Sequence, residues 1–272
     1  MHTTHPKQHF DACDKIKRRA RERVKFLSSS FFMLHYREIV QNIYLCSMQV
    51  VYEDNHIIIV NKTCREIVQG DKTGDRPLSE IVKDWLKEKY NKPGNVFIGV
   101  THRLDRPVSG LVIMAKTSKA LSRMNEMFRT GQVKKTYWAI VKNNPPQPEG
   151  TLIHYLTRNE KNNKSTAYNS PRNGAQRAEL DYRLLANGDN YRLLEVDLKT
   201  GRHHQIRCQL SKMGCPIKGD LKYGAERSNP DGGISLHARR VQFEHPVSHN
   251  IIDITAPVPD DRLWNDLAAM TQ

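Results

Sequence analysis

No stretch of this 272-residue chain approaches the roughly 20 consecutive apolar residues a membrane-spanning helix needs, so an integral membrane protein is not expected. Cysteine is scarce. Cys13, Cys46, Cys64, Cys208 and Cys215 are odd in number, widely spaced and form no C-x-x-C pair, which argues against a disulfide framework or a thiolate zinc site and makes a reducing cytoplasm the natural compartment. Neither an internal repeat nor a glycine-rich phosphate loop is present. Acidic residues are in deficit: 29 Asp and Glu face 43 Lys and Arg, a formal charge of +14. With 38% hydrophobic and 26% charged residues the composition is that of a globular protein, and the excess of positive charge points to a polyanionic partner, most often nucleic acid.

The basicity is not confined to one end. Residues 1–47 hold nine Lys/Arg against four Asp/Glu, and the remaining 225 hold 34 against 25. The arm carries a basic run, Lys15 to Arg23, then three serines and a four-residue apolar patch that is too short for a secretory signal. It reads as a basic arm on RNA backbone, a disordered extension, or residues outside the natural product with Met48 as the true start. The last two readings are preferred, and 48–272 is taken as the folded domain.

From Met48 onward strands dominate. Val50 to Tyr52 and His56 to Val60 flank a turn composition, and Leu111 to Ala115 is a continuous apolar strand. Further strand patterns fall at Thr136 to Val141, Thr151 to Tyr155, Leu180 to Leu185, Tyr191 to Leu198, Ser235 to Phe243 and Ile251 to Thr255. Helices are predicted after Pro77, from Thr117 to Gly131 with Leu121, Met124 and Phe128 on one side, and from about Gln205 to Met213. Asn159 to Arg177, polar and rich in Asn, Lys and Ser, reads as a loop. Helices interspersed without strict alternation predict an α+β fold with a mixed, largely antiparallel central sheet and flanking helices.

The segment Thr101-His102-Arg103-Leu104-Asp105-Arg106-Pro107-Val108-Ser109-Gly110-Leu111 delivers one carboxylate, between two guanidiniums, into a buried strand. Pro107 biases Arg106 toward an extended conformation, so the loop is restrained before it enters the sheet. A restrained carboxylate at a strand end suits a nucleophile or base. For an arbitrary aspartate a surface turn paired with its neighbours is the commoner outcome.

This segment resembles the H-R-L-D-x-x-[TS]-S-G-[LIV] motif of the RluA-type pseudouridine synthases. Lys135 to Val141 is similar to that family's K-x-Y-x-A-x-V strand, Lys199 to Arg207 to its K-T-G-R-x-H-Q-I-R segment, and Gly219-Asp220 with Tyr223-Gly224 to its G-D-x-x-Y-G block. Leu236-His237-Ala238, Phe243 and His245-Pro246 match its closing L-H-A…F-x-H-P. The blocks keep the family order from residue 48 to about 260. Val108 stands where threonine is common, and Thr63 and Arg65 replace the proline and glycine usual after Asn61-Lys62.

The resemblance implies an RNA-modifying isomerase of ribosomal or transfer RNA. It breaks the bond between a uracil ring nitrogen and ribose, turns the base, and rejoins ribose to a ring carbon. The net change is an isomerisation, so no cofactor and no metal are expected. It makes Asp105 the essential carboxylate, attacking the sugar, attacking the base or removing a sugar proton, and assigns Arg207 to an ion pair that orients Asp105 and Tyr137 to stacking on the uracil. Arg103 would enter the space left by the extruded nucleotide. His102, Arg106, Arg202 and Ile206 join it around the RNA, with Ile206 facing the base pocket or the core. His102 is equally readable as a support of the loop. A zinc reading of His203, His204, Cys208 and Cys215 is set aside, because adjacent histidines on a helix do not readily face one metal. The rival readings are a non-catalytic RNA-binding or ribosome assembly factor on the same fold, and a glycosidase or nuclease, for which no second carboxylate appears in the matched blocks. A monomer is the default expectation.

Overall fold

The computed structural model describes residues 48–71 and 73–271. The basic arm 1–47 lies outside the described residues. Of the described residues, 48–49 and 81–96 group as one unit, and the rest form a second, larger unit.

The larger unit is built on β-branched strands. β1 (Gln49–Glu53) and β2 (Ile57–Lys62) turn at Asp54, whose carboxylate accepts the backbone N–H groups of His56 and Ile57 at 2.7 and 2.8 Å. α1 (Leu78–Lys89) begins behind Pro77, with Glu80 in its first turn and Lys87 and Lys89 in its last, charges that suit the helix dipole. β3 (Gly99–Val100) and β4 (Ser109–Ala115) bracket the aspartate loop. α2 (Ser118–Arg129) starts at Thr117, whose hydroxyl accepts the N–H of Ala120 at 3.2 Å. β5 (Lys134–Val141), β6 (Glu149–Asn159), β7 (Lys164–Tyr168), β8 (Gln176–Asn187) and β9 (Arg192–Leu198) follow. The chain closes with α3 (Gln205–Lys212), β10 (Leu236–Glu244), β11 (Ile251–Thr255) and α4 (Arg262–Ala269).

The strands form one sheet in the order β1-β2-β4-β10-β5-β9-β8-β6-β7, with β11 on β10 and β3 on β4. β2–β4, β10–β5, β5–β9, β8–β9, β6–β8 and β6–β7 are antiparallel, whereas β4 and β10 run parallel through Ser109↔His237 and Gly110↔Ala238. The sheet is therefore mixed and largely antiparallel, as predicted. All seven residues of β4 are buried, so it reads as an unbroken apolar run rather than an alternating one. It packs with Ile57, Ile59, Met124 and Phe243, and a second cluster gathers Trp138, Ile140, Leu193, Trp264 and Leu267.

Two elements depart from the sequence reading. The stretch taken as a loop between Asn159 and Arg177 contains β7, paired with β6 from Tyr155↔Tyr168 to Asn159↔Lys164. Its inward positions are Ser165 and Ala167, too small to give the alternation that marks a strand. α4 was not anticipated either. Asp261 caps it, accepting the N–H groups of Leu263 and Trp264 at 3.0 and 3.2 Å.

Candidate active site

The aspartate loop runs from β3 to β4 and is fastened at three points. Thr101 donates its hydroxyl to Ile113 O at 2.6 Å, and the N–H of Ile113 donates to His102 Nε2 at 3.0 Å. Lys62, at the end of β2 and 1% exposed, directs its ammonium to the carbonyls of Thr63, Arg106 and Val108 at 2.7, 2.9 and 2.6 Å. Three donors meet three acceptors, which is how a buried lysine is tolerated. Desolvation, opposed by nearby negative charge, pushes its pKa down to about 8. The Asn61-Lys62 pair was visible in the sequence, but not the three carbonyls it would meet.

Asp105 sits at the centre of this loop, its side chain 31% exposed. Arg207, from the first turn of α3, donates Nη1 to Asp105 Oδ2 at 2.9 Å. Its other edge is taken by Asp220, with Nε to Oδ2 at 2.7 Å and Nη2 to Oδ1 at 2.9 Å. The planar guanidinium is thus shared by two carboxylates. His204 Nε2 lies 3.3 Å from the same Oδ2 of Asp105. Both nitrogens approach one oxygen. Oδ1 has no hydrogen bond among the described residues.

Asp105 faces an open cleft of about 1160 Å³ whose wall includes Tyr137, Ile206 and Leu236. Tyr137 lies on β5 between Ala238 of β10 and Val196 of β9, and its hydroxyl has no hydrogen-bond partner among the described residues. Burial, and then the Asp105 charge, push its phenol well above the ordinary value, so it remains neutral. Ile206 is 5% exposed and also lines the cleft, so its adjacency to Arg207 presents an apolar surface beside a charged one.

The remaining expected residues take different stations. Arg103 is exposed at the cleft, with no hydrogen bond or ion pair among the described residues. Arg106 is engaged with Asp75 and, at 3.1 Å, with Thr73 Oγ1. Arg202 is exposed and donates Nε to Arg177 O at 3.1 Å. His102 is half-buried at the cleft wall: its Nε2 accepts the N–H of Ile113, its ring lies 4.6 Å from that of Phe128, and burial pushes its pKa down to about 3. Among the described residues no group of three or more His, Cys, Asp or Glu side chains is placed to hold a metal ion. No helix among them is long and apolar enough to cross a membrane.

A family model described as RNA pseudouridylate synthase matches residues 56–212, a span that holds the aspartate loop, Tyr137 and Arg207. An RNA pseudouridine synthase of Synechocystis is 32% identical over 225 residues, covering 81% of this chain and 68% of its own. Ribosomal large subunit pseudouridine synthase D of Zymomonas mobilis is 30% identical over 224 residues, covering 79% and 70%, and tRNA pseudouridine synthase C of Pectobacterium carotovorum is 28% identical over 267 residues, covering 90% and 69%. Among solved structures, human RNA pseudouridylate synthase domain containing 4 superposes with a TM-score of 0.70 at 22% identity, over 86% of this chain and 97% of that one. The chain belongs to the RNA pseudouridylate synthase family, and its fold is that of these enzymes. It is an isomerase of RNA uridines.

Proposed function

We propose that the chain converts uridines of ribosomal or transfer RNA to pseudouridine with Asp105 as its reacting carboxylate, acting on a nucleotide drawn out of its helix into the cleft. The observation that carries this is the asymmetry of Asp105: Arg207 and His204 crowd Oδ2, while Oδ1 is left to the cleft. The bond from ribose C1′ to uracil N1 breaks, a bond from C1′ to C5 forms, the C5 proton leaves and N1 gains one, so the composition of the RNA is unchanged. Cleaving a glycosidic bond places positive character on the sugar or makes a covalent adduct, and a fixed anion stabilises the first or forms the second. Asp105, Arg207 and Asp220 together carry one negative charge, the sign this step requires.

The flanking groups fit the same substrate. Tyr137 and Ile206 offer a face for the pyrimidine, and stacking on an aromatic ring is worth about 1–3 kcal/mol per base. That offsets part of the few kcal/mol spent on extrusion. Arg103, unpaired among the described residues, is free to stack or to meet phosphate. Arg158, Lys199, Arg202 and Lys222 also line the cleft and supply the salt-dependent part of RNA affinity. Relatives named for ribosomal and for transfer RNA support the substrate class.

The test is Asp105→Asn, a near-isosteric change. Pseudouridine formation, mapped by carbodiimide labelling, is expected to vanish while RNA affinity stays within a few-fold. Retained activity in this variant removes the mechanism. Comparing pseudouridine maps of ribosomal and transfer RNA with and without the gene identifies the target.

A further inference from the structure

Asp220 and Tyr223 take no part in the reaction described above, yet each stands directly behind one of the two groups that hold Asp105. Both belong to a single 3-10 turn, Leu221–Tyr223, which Asp220 opens and Gly224, at φ 102°, closes. Side chains three residues apart in such a turn lie on the same face, so a D-x-x-Y spacing aims a carboxylate and a phenol in one direction. Both are buried, Asp220 to 1% and Tyr223 to 4% exposure. Asp220 engages the Nε and Nη2 edge of Arg207. That leaves Nη1 as the edge turned to Asp105. Tyr223 places its hydroxyl 2.9 Å from His204 Nδ1, and its ring lies 5.1 Å from the Arg207 guanidinium carbon.

The hydrogen bonds around Tyr223 assign the proton on His204. The N–H of Ser165 donates to Tyr223 Oη at 2.8 Å. The Ser165 hydroxyl proton is directed to His203 O at 2.7 Å. The phenolic proton of Tyr223 is then left for His204 Nδ1, and burial, which pushes that phenol up to about 12, keeps it there. With Nδ1 accepting, a neutral imidazole carries its hydrogen on Nε2, the atom 3.3 Å from Asp105 Oδ2. Desolvation, opposed by Asp105, pushes His204 down to about 3, so the ring is neutral at physiological pH. Its backbone is left-handed at φ 51° and ψ 29°, a conformation that costs a residue other than glycine energy and here sets the ring between Tyr223 and Asp105.

We propose that the 220–223 turn is a positioning element for the catalytic carboxylate, Asp220 acting through Arg207 and Tyr223 acting through a neutral His204 whose Nε2–H faces Asp105 Oδ2. The 3.3 Å contact is long for the free enzyme, and it shortens to a hydrogen bond when uridine excludes water from the cleft. The pair keeps Oδ2 occupied and Oδ1 directed at the nucleotide. This rests on the reading of Asp105 as the reacting group.

The experiment compares Tyr223→Phe, Asp220→Asn, His204→Gln and His204→Asn in the full chain, measuring kcat, KM and RNA affinity. Tyr223→Phe keeps the ring against Arg207 and removes the hydroxyl that faces His204 Nδ1, along with the acceptor of the Ser165 N–H. It is expected to lower kcat about tenfold, the scale of one hydrogen bond, with KM within twofold. Asp220→Asn is expected to lower kcat by more. His204→Gln puts an amide nitrogen at the level of Nε2 and is expected to retain more activity than His204→Asn, which reaches only the level of Nδ1. A merely structural histidine would give no such order. Long-range ¹H–¹⁵N correlation on the unaltered protein needs no variant to fold: a neutral ring protonated at Nε2 is expected at pH 7, and Nδ1–H or an imidazolium overturns the proposal. Wild-type kcat in both Tyr223→Phe and Asp220→Asn overturns it as well. If Asp105→Asn is inactive in that case, the positioning role alone has failed; if Asp105→Asn is active, the reading of Asp105 fails first.

Discussion

Gly110 of β4 lies against the backbone of Ala238 in β10 so closely that a Cβ built on it would fall 2.4 Å from both the nitrogen and the oxygen of Ala238. Its φ of 114° is also a conformation that side chains rarely adopt. Gly110→Ala is therefore expected to destabilise the fold by roughly 3 kcal/mol or more, since the obstacle is backbone with no rotamer to yield. Urea unfolding of the variant, at a cost below about 1 kcal/mol, would show that the two strands can separate locally.

Lys62 binds the loop from beneath. Lys62→Met preserves volume but leaves the carbonyls of Thr63, Arg106 and Val108 without their donor. Stability is expected to fall by about 2–3 kcal/mol and kcat at least tenfold, because the segment that carries Asp105 loses its anchor. Denaturation midpoints and single-turnover rates check the two effects separately, and an unchanged rate would show that the other fastenings suffice.

Arg103 is the exposed guanidinium of the loop. Arg103→Ala is expected to reduce kcat/KM on structured RNA more than on an unstructured oligonucleotide that needs no extrusion, and to lower the slope of log affinity against log salt by about one. Arg103→Lys keeps the charge and is expected to restore the salt slope but not the rate. Equal effects on both RNAs would assign Arg103 to phosphate contact alone.

Three imidazoles, His102, His204 and His237, are each pushed by desolvation from 6.5 down to about 3. Between these values the unfolded chain holds protons that the folded chain does not. Their contribution is thus complete above pH 6.5 and is lost as the pH falls toward 3, at about 1.4 kcal/mol per pH unit for each ring. Calorimetric melting from pH 7 to pH 4 should show this decline. His102→Gln, which keeps an acceptor for the N–H of Ile113, should make it shallower by one proton, and an unaltered slope would place that ring in contact with water.

Most of the strands were legible because their residues are β-branched and their burial is either alternating or complete. β7 was not, since Ser165 and Ala167 mark its inner face with almost no hydrophobicity. The pairing of Asp105 with Arg207 followed from a resemblance, whereas Asp220 as the partner on the far edge of that guanidinium depends on where a turn 13 residues away is laid, which local pattern does not encode. Lys62 shows the same limit from the other side: a lysine reads as solvent-facing until the carbonyls that receive it are in place. Arg106 belonged to the motif, and only the position of Asp75 shows how its guanidinium is engaged.

The parallel seam between β4 and β10 also has a bearing on synthesis. Asp105 leaves the ribosome 102 residues before Arg207, and Gly110 still longer before the strand it must lie against. A nascent chain therefore displays the whole aspartate loop for seconds before the groups that orient it exist. The active arrangement cannot form until Arg207 has been made, and a chain halted before it would carry every letter of the aspartate motif with its acid unaimed.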